Sequence, residues 1–225
     1  MYTNSANHEE RFWTYFNNLG SQNRIHQSLY LLSMSEVDIQ PLKAIIRKHK
    51  IEIREKTDTK VWLVIVDTMG DSRLDPINKE AISWGIQLLV FKPTGLEIEY
   101  ALFNNDSACW SCYKKRDSLL DGVGTYLKKA LPNCRPLPEP VYYNKPTVSL
   151  AFNWIMLEIE RLLSEPTSHP LAGKLRAIAL DKMESSDHVI TQLAHCTSCQ
   201  DDNSKSDQFP SSLEIRIDRE MITSD

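Results

Sequence analysis

Two cysteine pairs with the same spacing set the strongest demand this chain makes on its fold. One lies in ACWSCYKKR at 108–116, as Cys109 and Cys112; the other lies in AHCTSCQ at 194–200, as Cys196 and Cys199. Two residues between cysteines let both sulfurs converge on one ion at about 2.3 Å, and two such hooks complete a tetrahedron. If the pairs share an ion, the fold must join two places separated by residues 113–195. His195, next to Cys196, is a further candidate ligand, and zinc is the cofactor this set suits. Two other readings stay open. The thiols can be unconnected, or they can form a disulfide or do redox work, with Cys109 at a helix N-terminus capped by Asp106 or Ser107. Cys134, alone beside prolines, reads as a plain thiol.

The hydrophobic period divides the chain. Phe12, Phe16 and Leu19 recur at helical spacing between Ser5 and Gly20. A second helix would place Ile25, Leu29 and Leu32 on one face. A third would start near Asp38, tolerate Pro41 in its first turn, bury Leu42, Ile45 and Ile46, and end at RKHK, 47–50. The period then drops to two. KIEIREK alternates and KVWLVIVD is a β-branched run, so TDTK reads as the turn of a hairpin. WGIQLLVF and LEIEYALF flank KPTG, a second hairpin signal. The expected class is α+β. A mostly antiparallel sheet of four or five strands, over about 50–103 with 212–221 as a further candidate, packs against N-terminal and C-terminal helices.

Beyond the sheet, 107–131 returns to helix with Leu119, Leu120, Val123, Tyr126 and Leu127 in a stripe. Prolines 132, 136, 138, 140 and 146 mark 132–146 as a connector. TVSLAFNWIMLEIERLLSE, capped by Thr147, places Phe152, Ile155, Met156, Ile159 and Leu163 on one face of a central helix. Two short helices are expected at 170–184 and 187–195. Residues 1–199 would form one domain, 200–210 a mobile polar linker, and 211–225 a late strand or tail in which Leu213, Ile215 and Ile217 alternate with charges.

The chain has only seven glycines and shows no GxGxxG, GxxxxGK[ST] or GxSxG, which argues against a nucleotide-dependent enzyme or a serine hydrolase. A net charge of −4 limits nucleic acid to a local basic group such as Lys114, Lys115 and Arg116. No apolar run approaches the roughly 20 residues of a membrane helix, and no secretory leader is visible, so an intracellular location is expected, cytoplasmic or nuclear. The functional expectation is a non-catalytic binding or regulatory protein. It would act through a protein or nucleic-acid partner, away from membranes, with structural zinc in its cysteine pairs.

One alternative starts from Asp67, which ends VWLVIVD. The order of strand, hairpin and helix resembles the start of an RNase H-like fold, and GLEIEYALFNND is similar to a hairpin strand of retroelement RNase H domains. That resemblance implies a divalent-metal-dependent nuclease with Asp67, Asp117 and Asp121 as its carboxylates. The chain departs from the pattern in two places: 107–131 holds no glutamate, and Thr68 follows Asp67 where a glycine belongs.

Overall fold

The computed structural model describes residues 27–120, 143–164 and 169–199. Seven strands form one mixed sheet in the order β2-β1-β3-β4-β5-β6-β7. They are β1 (Ser28–Ser33), β2 (Glu52–Ile53), β3 (Val61–Ile65), β4 (Gln87–Lys92), β5 (Glu97–Phe103), β6 (Lys174–Ala179) and β7 (Glu184–Val189). Four helices accompany them: α1 (Gln40–Lys48), α2 (Leu74–Ser83), α3 (Trp110–Leu120) and α4 (Lys145–Ser164). The first four strands pair in parallel and the last three join antiparallel.

This corrects the expected antiparallel sheet of four or five strands. KIEIREK and KVWLVIVD do not form a hairpin: β2 and β3 both pair with β1, on its opposite edges. The cause lies upstream. QSLYLLS, expected as helix, is the strand β1, because its apolar residues serve both faces. Leu29 and Leu31 face one core while Tyr30 and Leu32 face the other. A run buried on both sides carries no period that separates strand from helix. The stretch between Asp67 and Trp84, to which no element was assigned above, contains α2. Its signal was present in Leu74, Asn78 and Ala81, buried at helical spacing. The two helices expected over 170–195 are instead β6 and β7, turned by Leu180–Met183, with Met183 at φ 54°.

Other expectations hold. α1 buries Leu42 and Ile46, and Pro41 sits in its first turn. β4 and β5 form the hairpin around Gly95, whose φ of 93° suits a residue without Cβ. α4 buries Phe152, Ile155, Met156 and Ile159, although Asn144 caps it by accepting the Thr147 amide at 2.9 Å. The expected N-terminal helix over 5–20, the proline connector up to 142, Cys134, and residues 200–225 lie outside the described residues.

The two sheet faces carry separate cores. Leu29, Leu63, Phe91, Tyr100 and Leu102 meet α1 and α4 on one side; Trp62, Val64, Val90 and Phe103 meet α2 and Trp110 of α3 on the other. Within the first core lies a polar network. Glu158 of α4 accepts from Tyr100 Oη (3.2 Å) and Arg176 Nη1 (3.1 Å), and Arg176 also grips both oxygens of Asp187. Trp154 Nε1 donates to Tyr100 Oη at 2.8 Å.

His169 borders this network. Leu171 N donates to its Nδ1, which leaves the ring proton on Nε2, 3.5 Å from Glu158 Oε2. Burial, then the charges of Arg161 and Arg176, lower its pKa from 6.5 to about 4. The unfolded chain therefore binds a proton first as pH falls, so stability drops from about pH 6.5 towards pH 4 and levels off below that. The expected loss through this residue is about 2 kcal/mol between pH 7 and pH 5. Urea unfolding at both values checks it: His169→Gln should flatten the slope, and an unchanged slope would show that His169 is not its source.

Candidate metal centre

The four cysteines come together on the α2–α3 side of the sheet. Cys109 precedes α3 and Cys112 lies in its first turn, while Cys196 and Cys199 stand in the turns that follow β7. Hydrogen bonds from Cys112 N and Tyr113 N to Cys109 O (3.0 and 3.3 Å) wind this segment into a helical turn, so both sulfurs leave on one face. The Sγ–Sγ separations are 3.8 Å for 109–112, 3.6 Å for 109–196 and 3.7 Å for 112–199, and all four sulfurs lie within 4.8 Å of one another. Four ligands at about 2.3 Å around a tetrahedral ion stand about 3.8 Å apart. A disulfide needs about 2.05 Å, so these are thiols and not bridges. The cluster could hold a metal ion.

Surrounding contacts brace both hooks. Ser111 and Ser198, one inside each CxxC, share a hydrogen bond of 2.9 Å. Asn78 of α2, buried, donates to Ser111 and accepts from Trp110 N. Trp110 Nε1 donates to Met69 O beyond the end of β3. Leu193 N and Gln192 Nε2 donate to the sulfurs of Cys112 and Cys199, each at 3.4 Å. Such donors hold a thiolate set in place. Burial pushes the Cys109 thiol up, and it pushes Cys112 up to about 11. Burial acts most strongly on Cys196, but the amides of Ser198 and Cys199 and the thiols of Cys112 and Cys199 together outweigh it and bring its pKa down to about 7. A cation amid the sulfurs would reverse the burial cost.

His195 is exposed and stands outside the four-sulfur cluster. The basic group is largely engaged within the fold: Lys114 pairs with Asp75 and lies over the Trp110 ring, Arg116 donates to Thr191 O, and Lys115 is exposed.

Asp67 has a structural partner set. Its carboxylate accepts from Ser35 Oγ (2.5 Å) and Glu36 N (3.3 Å), tying the loop after β3 to the loop after β1. Arg73 Nη2 adds a bond to Met34 O at 2.8 Å. These loops flank the point where the strand order reverses, at the carboxyl ends of β1 and β3, which is the usual ligand crevice of open α/β sheets. Here the bonds of Asp67 and Arg73 link the two loops across it. Asp117 is exposed on α3, and Asp121 lies outside the described residues.

No family model matches the chain, and neither does any curated protein. Solved structures do. The heterocyclase TruD matches with a TM-score of 0.69 at 20% identity, over 78% of this chain and 28% of its own. A heterocyclase solved with substrate and cofactor matches at 0.68 and 18% identity, over 84% of this chain and 28% of its own. MccB from E. coli matches at 0.54 and 12% identity, over 81% of this chain and 61% of its own. This chain thus spans 28% of the length of the heterocyclases it resembles.

That likeness corrects the functional expectation. The fold is one used by heterocyclases, which are enzymes, so the non-catalytic binding or regulatory protein does not stand. The nuclease alternative falls as well: an RNase H-like start needs antiparallel strands around Asp67, and β3 is parallel to both neighbours. The likeness to TruD and MccB could not be read from the sequence because no short motif announces this fold. Among the described residues no helix is long and apolar enough to cross a membrane.

Proposed function

We propose that this chain is the substrate-handling part of a heterocyclase-type enzyme acting on a peptide, braced by one structural Zn²⁺ on Cys109, Cys112, Cys196 and Cys199. The fold shared with TruD over 78% of the chain carries the reading. Two neighbours with this fold are solved with what they handle: a heterocyclase with substrate and cofactor, and MccB with AMPCPP and MccA. Zinc is supported by the all-sulfur donor set and the near-tetrahedral spacing. A closed set of four protein ligands leaves no position for substrate, so the ion's task is to hold the turns after β7 against α3.

The nucleotide chemistry belongs elsewhere in such an enzyme. Phosphates favour a glycine-rich turn leading into a helix N-terminus. Here the segment between β1 and α1 is MSEVDI: it has no glycine, carries Glu36 and Asp38, and is tied to Asp67. In the native host, deleting the gene should abolish a ring-bearing peptide product seen by mass spectrometry, and re-expression should restore it. An unchanged product spectrum would overturn the assignment. Calorimetry of the purified chain with Mg-ATP should show no binding.

A further inference from the structure

Each of the four cysteine sulfurs has a near neighbour on the opposite hook. Cys109 Sγ lies 3.6 Å from Cys196 Sγ, and Cys112 Sγ lies 3.7 Å from Cys199 Sγ. These two pairs use every sulfur once, and each must close by about 1.6 Å to reach disulfide length. The Ser111–Ser198 bond, with Asn78 behind it, holds the hooks face to face by itself. Access to the sulfurs is uneven. Cys109, Cys112 and Cys196 are buried, whereas Cys199 is only half-buried, so a small oxidant meets Cys199 first.

We propose that the four cysteines are also an oxidation site, which a hydroperoxide converts into two cross-hook disulfides, Cys112–Cys199 and Cys109–Cys196. Hydrogen peroxide takes the Cys199 thiol to a sulfenic acid and leaves as one water; the Cys112 sulfur then attacks it, forming the S–S bond and expelling a second water. A second peroxide closes Cys109 and Cys196 in the same way. Four thiols and two peroxides thus give two disulfides and four waters. From a zinc-bound set the same bonds form, four protons are taken up into water, and Zn²⁺ leaves. Bonds within each hook compete, since Cys109 and Cys112 are themselves 3.8 Å apart. Folding decides against them. A CxxC ring closes almost as well in the unfolded chain, so folding adds little to it. A bond between residues 87 apart in sequence gains from the fold the closure entropy of a long loop. After a first bond the two remaining thiols lie within 4.8 Å of it, so exchange carries a wrong first bond to the favoured pair. Oxidation then replaces one brace by another, and the turns after β7 stay joined to α3 when the ion is gone. The pairing rests on thiol geometry and is independent of the zinc and enzymatic readings.

Titrating the full chain with hydrogen peroxide, after reduction, chelation and removal of the reductant, tests it. After one equivalent the remaining thiols are alkylated and located by tandem mass spectrometry. Beside Cys134, the one-disulfide species should carry its labels on Cys109 with Cys196, or on Cys112 with Cys199. After two equivalents only Cys134 should still alkylate, and the chain should melt roughly 10 °C above its reduced, metal-free form. A reductant should return all four thiols. Labels on both cysteines of one CxxC, a bond to Cys134, or oxidation to sulfinic acid without a disulfide overturns the proposal. So does an oxidised chain that melts no higher than the reduced one. Zinc content is read separately on the protein as purified: a zinc-free protein that still forms the cross-hook pairs removes the ion and upholds the oxidation site.

Discussion

Replacing Cys112 by serine is expected to remove the bound metal and to lower the melting temperature by roughly 10 °C. The purified chain should carry one zinc per molecule by elemental analysis, and Cys112→Ser and Cys199→Ser should each carry almost none. The reason is geometric. Each CxxC alone offers two sulfurs; an ion bound here would gain its affinity from a set that the fold delivers ready-made, with spacings of 3.6–3.8 Å. Serine at Cys112 also takes away the sulfur that accepts from Leu193 N. In small zinc domains the ion is worth about 10–16 kcal/mol and decides whether the chain folds. This chain has two hydrophobic cores of its own, so the loss should be a fraction of that, about 4 kcal/mol. It should be felt first where nothing else binds: Leu193 to Cys199 touch the body chiefly through the sulfurs, Ser198 and the partly buried Leu193. Differential scanning fluorimetry with and without a chelator checks this. A metal-free wild-type protein, or a Cys112→Ser variant as stable as wild type, would remove zinc from the account.

The sequence disclosed the pairing of cysteines better than it disclosed the sheet. Equal CxxC spacing is a local fact, and only one arrangement of two hooks uses all four sulfurs. The sheet needed non-local facts. β1 was hidden because Leu29, Tyr30, Leu31 and Leu32 are apolar on both faces, which is the mark of a parallel strand covered by helices on each side. Once β1 is read as helix, β2 and β3 have only each other to pair with, and a false hairpin follows. β7 was hidden for the opposite reason. ESSDHV is polar but for Val189 and exposed along its length, so it has no alternation to detect, and its strand state comes from its register with β6. Met183 and Gly173, at φ 54° and 68°, mark the turns around β6, but single residues of that kind are weak signals. Asp67 was legible as the acid that ends a strand; that its partners would come from the loop after β1 depended on knowing that β1 and β3 are neighbours. The fold shared with TruD stayed illegible because it depends on strand order, which no short stretch records.

Glu158→Ala is expected to destabilise the fold by about 3–5 kcal/mol, the range for removing one partner of a buried ion pair. The side chain of Glu158 is 9% exposed, and Arg176, 21% exposed, divides its guanidinium between Glu158 and Asp187. Without Glu158, Nη1 of Arg176 loses its acceptor inside the protein, and Tyr100 Oη loses its own while still accepting from Trp154. In the intact protein burial, then the Glu158 charge, hold the Tyr100 hydroxyl up near pKa 12; the variant keeps the burial, the larger cause, so Tyr100 does not ionise to compensate. Packing suffers much less than electrostatics, since Phe152, Ile155 and Ile159 keep α4 on the sheet. The double variant Glu158→Leu/Arg176→Met separates the two causes. It removes both charges and keeps similar volume, so it should recover most of the loss, as buried pairs replaced by apolar residues commonly do. Urea denaturation of wild type, single and double variants gives the coupling energy directly. If the double variant is as unstable as the sum of its parts, the network holds α4 through shape and not through charge, and the cost of an unpaired Arg176 is not what the single variant measures.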